Sequence, residues 1–264
     1  MASKRRRKES TGEDRSERRG QGREEGTSPK DGGKGKEPRE NALLEWLKSL
    51  AVALVLFLII RSFLLHTFVI ISGSMEDTLL VGDLLLVNRA AVGSPVPGTS
   101  WRIPGYSTVQ RGDILVFDPP HEQDLKLVKR LIGLPGDTVE MRNKVLLVNG
   151  RAMDEPYVQH QDPHRDDASP WMAWQSEHLL RDEADGEYQP TRDNWGPLLI
   201  PPDHYFMLGD NRDTSLDSRY WGLLEGWRLE GRAMIIYFSY DKESLRPFPA
   251  LREIRWGRVG RRVR

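Results

Sequence analysis

Apolar residues fall into two patterns along the chain, one long run near the N-terminus and a series of short runs after it. The long run covers residues 43–71, and LAVALVLFLII at residues 50–60 is its uninterrupted part. Crossing roughly 30 Å of hydrocarbon takes about 20 helical residues. The run meets that length if the cations Lys48 and Arg61 extend to opposite headgroup layers. We therefore predict one transmembrane helix over residues 43–67.

Two other interpretations of this run stay open from the pattern alone. Its uninterrupted part has 11 residues, which also suits a buried core helix. A cleavable secretory signal would instead end at the small residues 72–74. Residues 1–42 carry more Lys and Arg than Asp and Glu and few apolar residues. We predict that they form a disordered cytoplasmic tail, with the rest of the chain beyond the span outside the cytoplasm.

After residue 68 the chain shows short apolar runs separated by Gly-Asp and Pro-Gly, which is typical of strands and turns. The runs are LLLVN, DILVF, LVKRLIG, KVLLVNG, HYFML and AMIIYFS. The Asn-Gly pair that ends at residue 150 predicts a hairpin turn. We expect a β-rich domain over residues 68–150 and 194–245, interrupted at residues 151–193 by a subdomain or long loop. We expect residues 246–264 to form a basic tail that is more solvated than lipid-bound.

Charge and cysteine content exclude several classes of protein. Lys and Arg total 39 against 39 Asp and Glu, so the net charge does not indicate a nucleic-acid partner. The basic run KRRRK at residues 4–8 precedes an apolar segment and is better explained as a topology signal than as a nucleic-acid patch. The chain has no Cys, which excludes disulfides, thiolate metal sites and a cysteine protease.

Three polar segments stand out as candidates for chemistry. Around Ser74, the sequence ISGSM has small residues that permit a sharp turn and an exposed hydroxyl, although an ordinary turn has the same composition. Lys129 lies in the apolar run LVKRLIG, where desolvation would lower its pKa and make it a base; a solvated face of a strand is the alternative. Residues 209–222, GDNRDTSLDSRYWG, are dense in polar groups that need partners, as an active-site loop or a surface turn would be.

In this order, these segments resemble the motif boxes of bacterial type I signal peptidases, a family with a Ser/Lys dyad. The resemblance extends from about residue 45 to residue 240. It rests on SGSM at 72–75, RGDILVF at 111–117, LVKRLIGLPGD at 127–137, NWGPLLIP at 194–201 and GDNRDTSLDSRYWG at 209–222. The chain departs from the family pattern at Ile71 and Asp77, where Pro is usual, and at Leu127, where an aromatic residue is common.

The resemblance implies a role for each matching residue. Ser74 would be the nucleophile and Lys129 the general base, and the Ser74 N–H and the Ser72 hydroxyl would form the oxyanion hole. Further residues would orient the base and support the site (Ser215, Asp217 and Arg219) or line a pocket for small substrate side chains (Phe68, Ile70, Met75, Leu79 and Val128). The implied fold is mostly β, with a single N-terminal transmembrane helix and a β-rich domain shared with repressor-type self-cleaving peptidases.

The resemblance also implies partners and a location. The substrates would be signal peptides of secretory preproteins, cleaved after an A-x-A-like site, and the other partners would be the lipid bilayer and the protein translocation machinery, with no nucleic acid. No metal or cofactor is expected. The protein would be a single-pass protein of the bacterial inner membrane, with its N-terminus in the cytoplasm and its catalytic domain outside.

Three other functions are weaker. A zinc hydrolase would use His160, His164 and His178, but HQDPH differs from HExxH and contains a helix-breaking Pro. A Ser-His-Asp enzyme would use His121 or His204, but no GxSxG motif is present. A membrane-tethered binding or scaffold protein with a degenerate site is the alternative from another class, and the presence of both Ser74 and Lys129 argues against it.

Overall fold

The computed structural model describes residues 39–95, 99, 101–122, 125–162, 166, 168–180 and 188–264. Most of the predicted charged tail, residues 1–38, lies outside the described residues. The α-helices are α1 Arg39–Ile59, α2 Ser218–Trp221 and α3 Pro249–Arg252. The strands are β1 Leu65–Val69, β2 Asp83–Asn88, β3 Gly93–Pro95, β4 Arg102–Pro104, β5 Ile114–Phe117, β6 Leu127–Gly133, β7 Thr138–Arg142, β8 Val145–Val148, β9 Arg151–Ala152, β10 Trp195–Leu199, β11 His204–Leu208, β12 Leu224–Glu225 and β13 Leu229–Ser239. Short 3₁₀ helices cover Gly73–Met75, Pro170–His178, Gly226–Arg228 and Trp256–Arg258, and a π-helical turn covers Ile60–Leu64.

The N-terminal helix has the length and composition of a membrane span. Its apolar part, Ala42–Leu64, has 23 residues and a mean hydropathy of 2.3, and none of it is buried within the protein. A helix of this length exceeds the roughly 20 residues that a bilayer core requires. The chain divides into two compact units, Met1–Lys48 and Ser49–Arg264, and all the strands belong to the second.

The fold of the second unit is mostly β, as predicted. Seven strands form one sheet in the order β1-β2-β13-β5-β6-β11-β12, four form another in the order β10-β7-β8-β9, and β3 pairs with β4. Side chains of β2 alternate between buried and half-buried positions, while all four residues of β5 are buried. Alternation indicates a strand with one covered face, and a continuous apolar run indicates a strand covered on both faces.

The predicted Asn-Gly hairpin is confirmed. Asn149 and Gly150 have φ angles of 51° and 72° and connect β8 to β9, with Val148 opposite Arg151. A two-residue turn with positive φ at both positions matches the right-handed twist of the flanking strands.

Parts of the predicted insertion at residues 151–193 belong to the main structure. Strand β9 completes the four-stranded sheet. The 3₁₀ helix Pro170–His178 places Met172, which is fully buried, in one core cluster with Val139, Leu198 and Phe206. These described parts are therefore packed elements of the same domain.

Residues 246–264, expected to form a basic tail, are all exposed or half-buried, yet part of this segment pairs with the sheet. Isolated β-bridges join Tyr240 to Ile254 and Ile235 to Arg262, so the chain returns to β13 after the short helix α3. The reason is that the last residues offer backbone groups to this strand and guanidinium groups to buried acceptors, which a composition rich in Arg does not reveal.

Candidate active site

The predicted nucleophile lies in a tight turn directly after β1. Ser74 is in the 3₁₀ helix Gly73–Met75 and is 9% exposed. The turn is closed by backbone hydrogen bonds, since the N–H of Glu76 donates to the carbonyl of Gly73 at 3.0 Å and that of Leu79 to the carbonyl of Met75 at 2.7 Å. These bonds fix the backbone of the turn that carries Ser74.

The same turn contains a residue in the left-handed region. Asp77 has φ 71°, a conformation that Asp tolerates better than most residues. A Pro ring fixes φ near −65°, so this backbone excludes the Pro that the family commonly has at this position. The nucleophile turn therefore needs a residue that tolerates positive φ at position 77.

Lys129 and Ser74 are in direct contact. The Lys129 Nζ lies 2.5 Å from the Ser74 Oγ, and Lys129 is 2% exposed on β6, opposite Leu115 of β5. Burial lowers the pKa of Lys129 to about 8; the Asp217 carboxylate opposes this shift and the Arg219 guanidinium adds to it. Desolvation disfavours the charged amine, so a substantial fraction of Lys129 is neutral slightly above neutral pH.

Ser72 approaches the same hydroxyl. Its Oγ lies 3.5 Å from the Ser74 Oγ, and its backbone is extended immediately before the 3₁₀ helix. A hydroxyl next to the nucleophile is placed where it can donate to an oxyanion that develops on a bound carbonyl.

The Gly209–Arg219 loop packs against the back of the nucleophile turn. A Cβ at Gly209 would lie 2.2 Å from the Ser215 Oγ and 2.5 Å from the Ser74 carbonyl oxygen, so only Gly fits there. Asp217 and Arg219 are fully buried and form an ion pair, with the Arg219 Nε 2.8 Å from the Asp217 Oδ1. The carboxylate also accepts from the N–H of Gly209 at 3.1 Å.

Ser215 lies near the dyad without the predicted bond. Its Oγ is buried and has no hydrogen-bond partner among the described residues, so the hydroxyl does not orient Lys129 in this structure. The Ser215 Oγ lies close to Gly209, so Ser215 packs within the loop behind the nucleophile turn.

Four residues that support the site were not singled out from the sequence. The backbone N–H of Asn211 donates to the Ser74 carbonyl oxygen at 3.1 Å. Arg130 donates to both oxygens of Asp210 at 2.8 and 2.7 Å, and the Thr78 hydroxyl donates to the same carboxylate at 2.6 Å. Asp210 thereby connects the strand of Lys129 to the turn of Ser74, and its place in the GDNRD motif was the only available signal.

A cavity of about 220 Å³ opens beside the dyad. Its lining includes three of the predicted pocket residues, Ile70, Met75 and Val128, together with Ser72 and Ser74. The prediction was wrong for Leu79, which is 0% exposed and belongs to the core beneath the turn, and Phe68 packs against that core without lining the cavity. The remaining lining, which the prediction missed, is Val69, Ile71, Leu125, Lys126 and Leu127.

A larger cleft lies on another side of the nucleophile turn. It has about 690 Å³ and is lined by Asp77, Thr78, Tyr157 and the last four residues of the chain, among others. Ser74 lines the smaller cavity and not this cleft, so the smaller cavity is the candidate substrate site.

The histidines have other environments. His160 contacts Asp213 at 3.3 Å, His121 stacks on Trp221, and His204 lies 2.8 Å from the Pro202 carbonyl oxygen. His178 packs against the ring of Trp174, and His164 lies outside the described residues. Within the described part of the chain, no group of three or more His, Asp or Glu residues could hold a metal ion, and no histidine hydrogen-bonds Ser74.

The family model and two known proteins that match this chain belong to one family. A family model described as "Signal peptidase, peptidase S26" matches residues 43–238. Signal peptidase I of Pseudomonas aeruginosa is 37% identical over 225 residues, which are 80% of this chain and 78% of that protein. Signal peptidase I of Bacillus licheniformis is 33% identical and covers 77% and 93% of the two chains.

One solved structure was also matched. The crystal structure of a signal peptidase I from Enterococcus faecalis V583 is 32% identical, with a TM-score of 0.32, and covers 48% of this chain and 97% of that chain. The relatives are peptidases, and the family model covers well over half of the chain. The chain belongs to the signal peptidase family, peptidase S26.

Proposed function

We propose that this protein is a membrane-anchored serine endopeptidase that removes N-terminal signal peptides from exported preproteins with a Ser74/Lys129 dyad. The observation that carries the proposal is the 2.5 Å contact between the Ser74 Oγ and the Nζ of Lys129, whose pKa is lowered to about 8 by burial. A serine hydroxyl is a weak nucleophile until an adjacent base takes its proton. The buried amine is that base.

The reaction proceeds by acyl transfer. Neutral Lys129 takes the proton of the Ser74 hydroxyl while the Oγ attacks the scissile carbonyl carbon, and the tetrahedral oxyanion accepts hydrogen bonds from the Ser74 N–H and the Ser72 hydroxyl. The Lys129 ammonium then gives its proton to the leaving amine as the C–N bond breaks. A water molecule deprotonated by Lys129 attacks the resulting ester, which releases the signal peptide and regenerates Ser74.

The cavity supports specificity for small substrate side chains. Ile70, Met75 and Val128 give it an apolar lining next to Ser74, and about 220 Å³ is small against typical ligand pockets of roughly 300–1,000 Å³. Small residues at an A-x-A-like site fit such a cavity, while larger ones meet its walls.

The distribution of charge supports an orientation in the membrane. The leader before the span has more Lys and Arg than Asp and Glu, and cytoplasmic flanks carry such an excess. The N-terminus is then cytoplasmic, and the β domain acts outside the cytoplasm, where exported preproteins emerge from the translocation machinery.

The test is cleavage of a preprotein by the full-length protein in detergent or proteoliposomes. Wild type is compared with Ser74→Ala and Lys129→Ala, and Lys242→Met, an exposed lysine, serves as the matched control. We expect cleavage by wild type and the control only, with the new N-terminus following a small residue. Cleavage that survives both active-site substitutions would show that the dyad is wrong.

A further inference from the structure

The last residues of the chain form a segment that packs against the β domain beyond the reach of the family match, which ends at residue 238. We call residues 255–264 the C-terminal arm. Its backbone pairs with β13: the N–H of Ile236 donates to the Arg261 carbonyl at 2.9 Å, and the N–H of Val263 donates to the Met234 carbonyl at 2.9 Å. The arm is thereby fixed beside the sheet that carries the dyad.

Two arginines of the arm bind the segment that follows Ser74. The Arg258 Nη2 donates to the Thr78 carbonyl at 3.0 Å, and the same guanidinium binds both oxygens of Asp83 at 2.5 to 3.2 Å. Arg255 donates to the Val81 carbonyl at 2.8 Å. The Asp83 side chain is 0% exposed and that of Arg258 12%, so this is a desolvated, bidentate pair, a strong kind of protein hydrogen bonding.

The arm also contacts the strand of the base. Arg130, the neighbour of Lys129, donates from Nη2 to the Arg264 carbonyl at 3.3 Å. Val263 packs against the core cluster that contains Met75 and Leu79. One short segment therefore contacts both the chain that carries Ser74 and the strand that carries Lys129.

We propose that the C-terminal arm positions the nucleophile turn against the base, with Arg258 as the principal positioning residue. The proposal rests on the proposed Ser74/Lys129 function. The Gly209–Arg219 loop supports the turn from one side, and the arm's guanidinium groups add bonds to the backbone carbonyls of Thr78 and Val81. A displacement of about 1 Å between reacting groups costs roughly 100-fold in rate, so the arm supports turnover without touching the substrate.

The proposal is tested with Arg258→Met and Arg258→Lys in the full-length protein, with Arg252→Met as the control. Arg252 is an exposed arginine of α3. Because Arg258 does not line the cavity beside Ser74, we expect Arg258→Met to lower kcat about 10- to 100-fold while KM stays within about 2-fold. Arg258→Lys keeps the charge and should recover part of kcat, and the control should equal wild type.

The outcomes separate this proposal from the proposed function. A folded Arg258→Met protein with the kcat of the control would overturn the role of the arm, as would a rise in KM with unchanged kcat. If Arg258→Met does not fold, Arg258→Lys carries the test, and failure of both to fold would make the arm a stability element only. Loss of the dyad function itself would appear instead as unchanged cleavage by Ser74→Ala.

Discussion

Strand β6 carries two neighbouring buried cations, and their side chains have different partners. Lys129 and Arg130 are each 2% exposed, and they point to opposite faces because side chains alternate along a strand. Arg130 is bidentate to Asp210, donates to the Gly112 carbonyl at 2.9 Å, and lies 3.7 Å from the centre of the Tyr157 ring. Lys129 contacts a hydroxyl, that of Ser74.

These different environments explain how one strand supplies both the proposed base, Lys129, and a residue that supports the site, Arg130. Burial disfavours any cation, and a carboxylate partner restores the charged form. Arginine stays protonated and needs that partner, whereas a buried lysine without one becomes a neutral amine. Burial is the largest influence on the pKa of Lys129 and lowers it; the carboxylates of Asp217 and Asp210 oppose this shift, and the Arg219 guanidinium adds to it.

Replacement of Lys129 should have the largest effect, because it should remove activity and at the same time stabilise the fold. We expect Lys129→Met to lower cleavage about 1,000-fold or more and to stabilise the fold by about 3 kcal/mol below pH 8, because the pKa of 10.5 in the unfolded chain falls to about 8 on folding. Between pH 8 and 10.5, Lys129 is protonated in the unfolded chain and neutral in the folded protein. The free energy of unfolding of wild type should therefore rise with pH through this range.

The measurement is the free energy of unfolding of both proteins in detergent from pH 7 to 10.5. The difference between them should shrink as pH rises. A constant difference would contradict a depressed pKa for Lys129.

Replacement of Arg130, which is paired with Asp210, should instead destabilise the fold. Arg130→Met leaves the Asp210 carboxylate, which is 0% exposed, buried without its guanidinium, and such a loss destabilises a protein by about 3–5 kcal/mol. The matched control is Arg142→Met, whose ion pair with Glu140 involves a guanidinium side chain that is 55% exposed and should cost about 1 kcal/mol or less. Chemical denaturation of both variants would show the contrast, and equal losses would refute it.

The pH dependence of cleavage should report the protonation of Lys129. In wild type, kcat/KM should rise as pH approaches 8 and level off above it, because the free enzyme needs Lys129 neutral. Asp217→Asn removes a carboxylate that raises the pKa of Lys129 and leaves Arg219, which lowers it, so the midpoint should move to lower pH. Asp154→Asn, an exposed carboxylate, should leave the midpoint unchanged, and an alkaline shift in Asp217→Asn would contradict the assignment.

The smallest effect should come from the aromatic ring over Arg130. Tyr157→Leu removes the cation–π contact and should cost about 1 kcal/mol without a shift in the pH midpoint. Tyr157→Phe keeps the ring and loses only the hydroxyl bond to Glu155, so thermal unfolding should distinguish the two variants. Identical stabilities would mean that the ring does not stabilise Arg130.

Several features of this protein follow from its sequence alone. The apolar run of the N-terminal helix, the strand patterns and the Asn-Gly hairpin depend on residues that are close together in the chain. Local propensity and periodicity determine such features because the interactions that form them are local. Motif order also indicated Ser74, Lys129 and the Asp217–Arg219 pair, through resemblance to a family.

Which groups come into contact depends on the three-dimensional fold. The Ser74–Lys129 contact joins residues 55 apart, the Arg130–Asp210 pair residues 80 apart, and the Arg258–Thr78 bond residues 180 apart. Leu79 became a core residue, the Ser215 hydroxyl has no hydrogen-bond partner among the described residues, and the arginine-rich end packed against the sheet. The pKa of Lys129 depends on burial and on charges brought from distant segments, and no pattern of neighbouring residues contains that information.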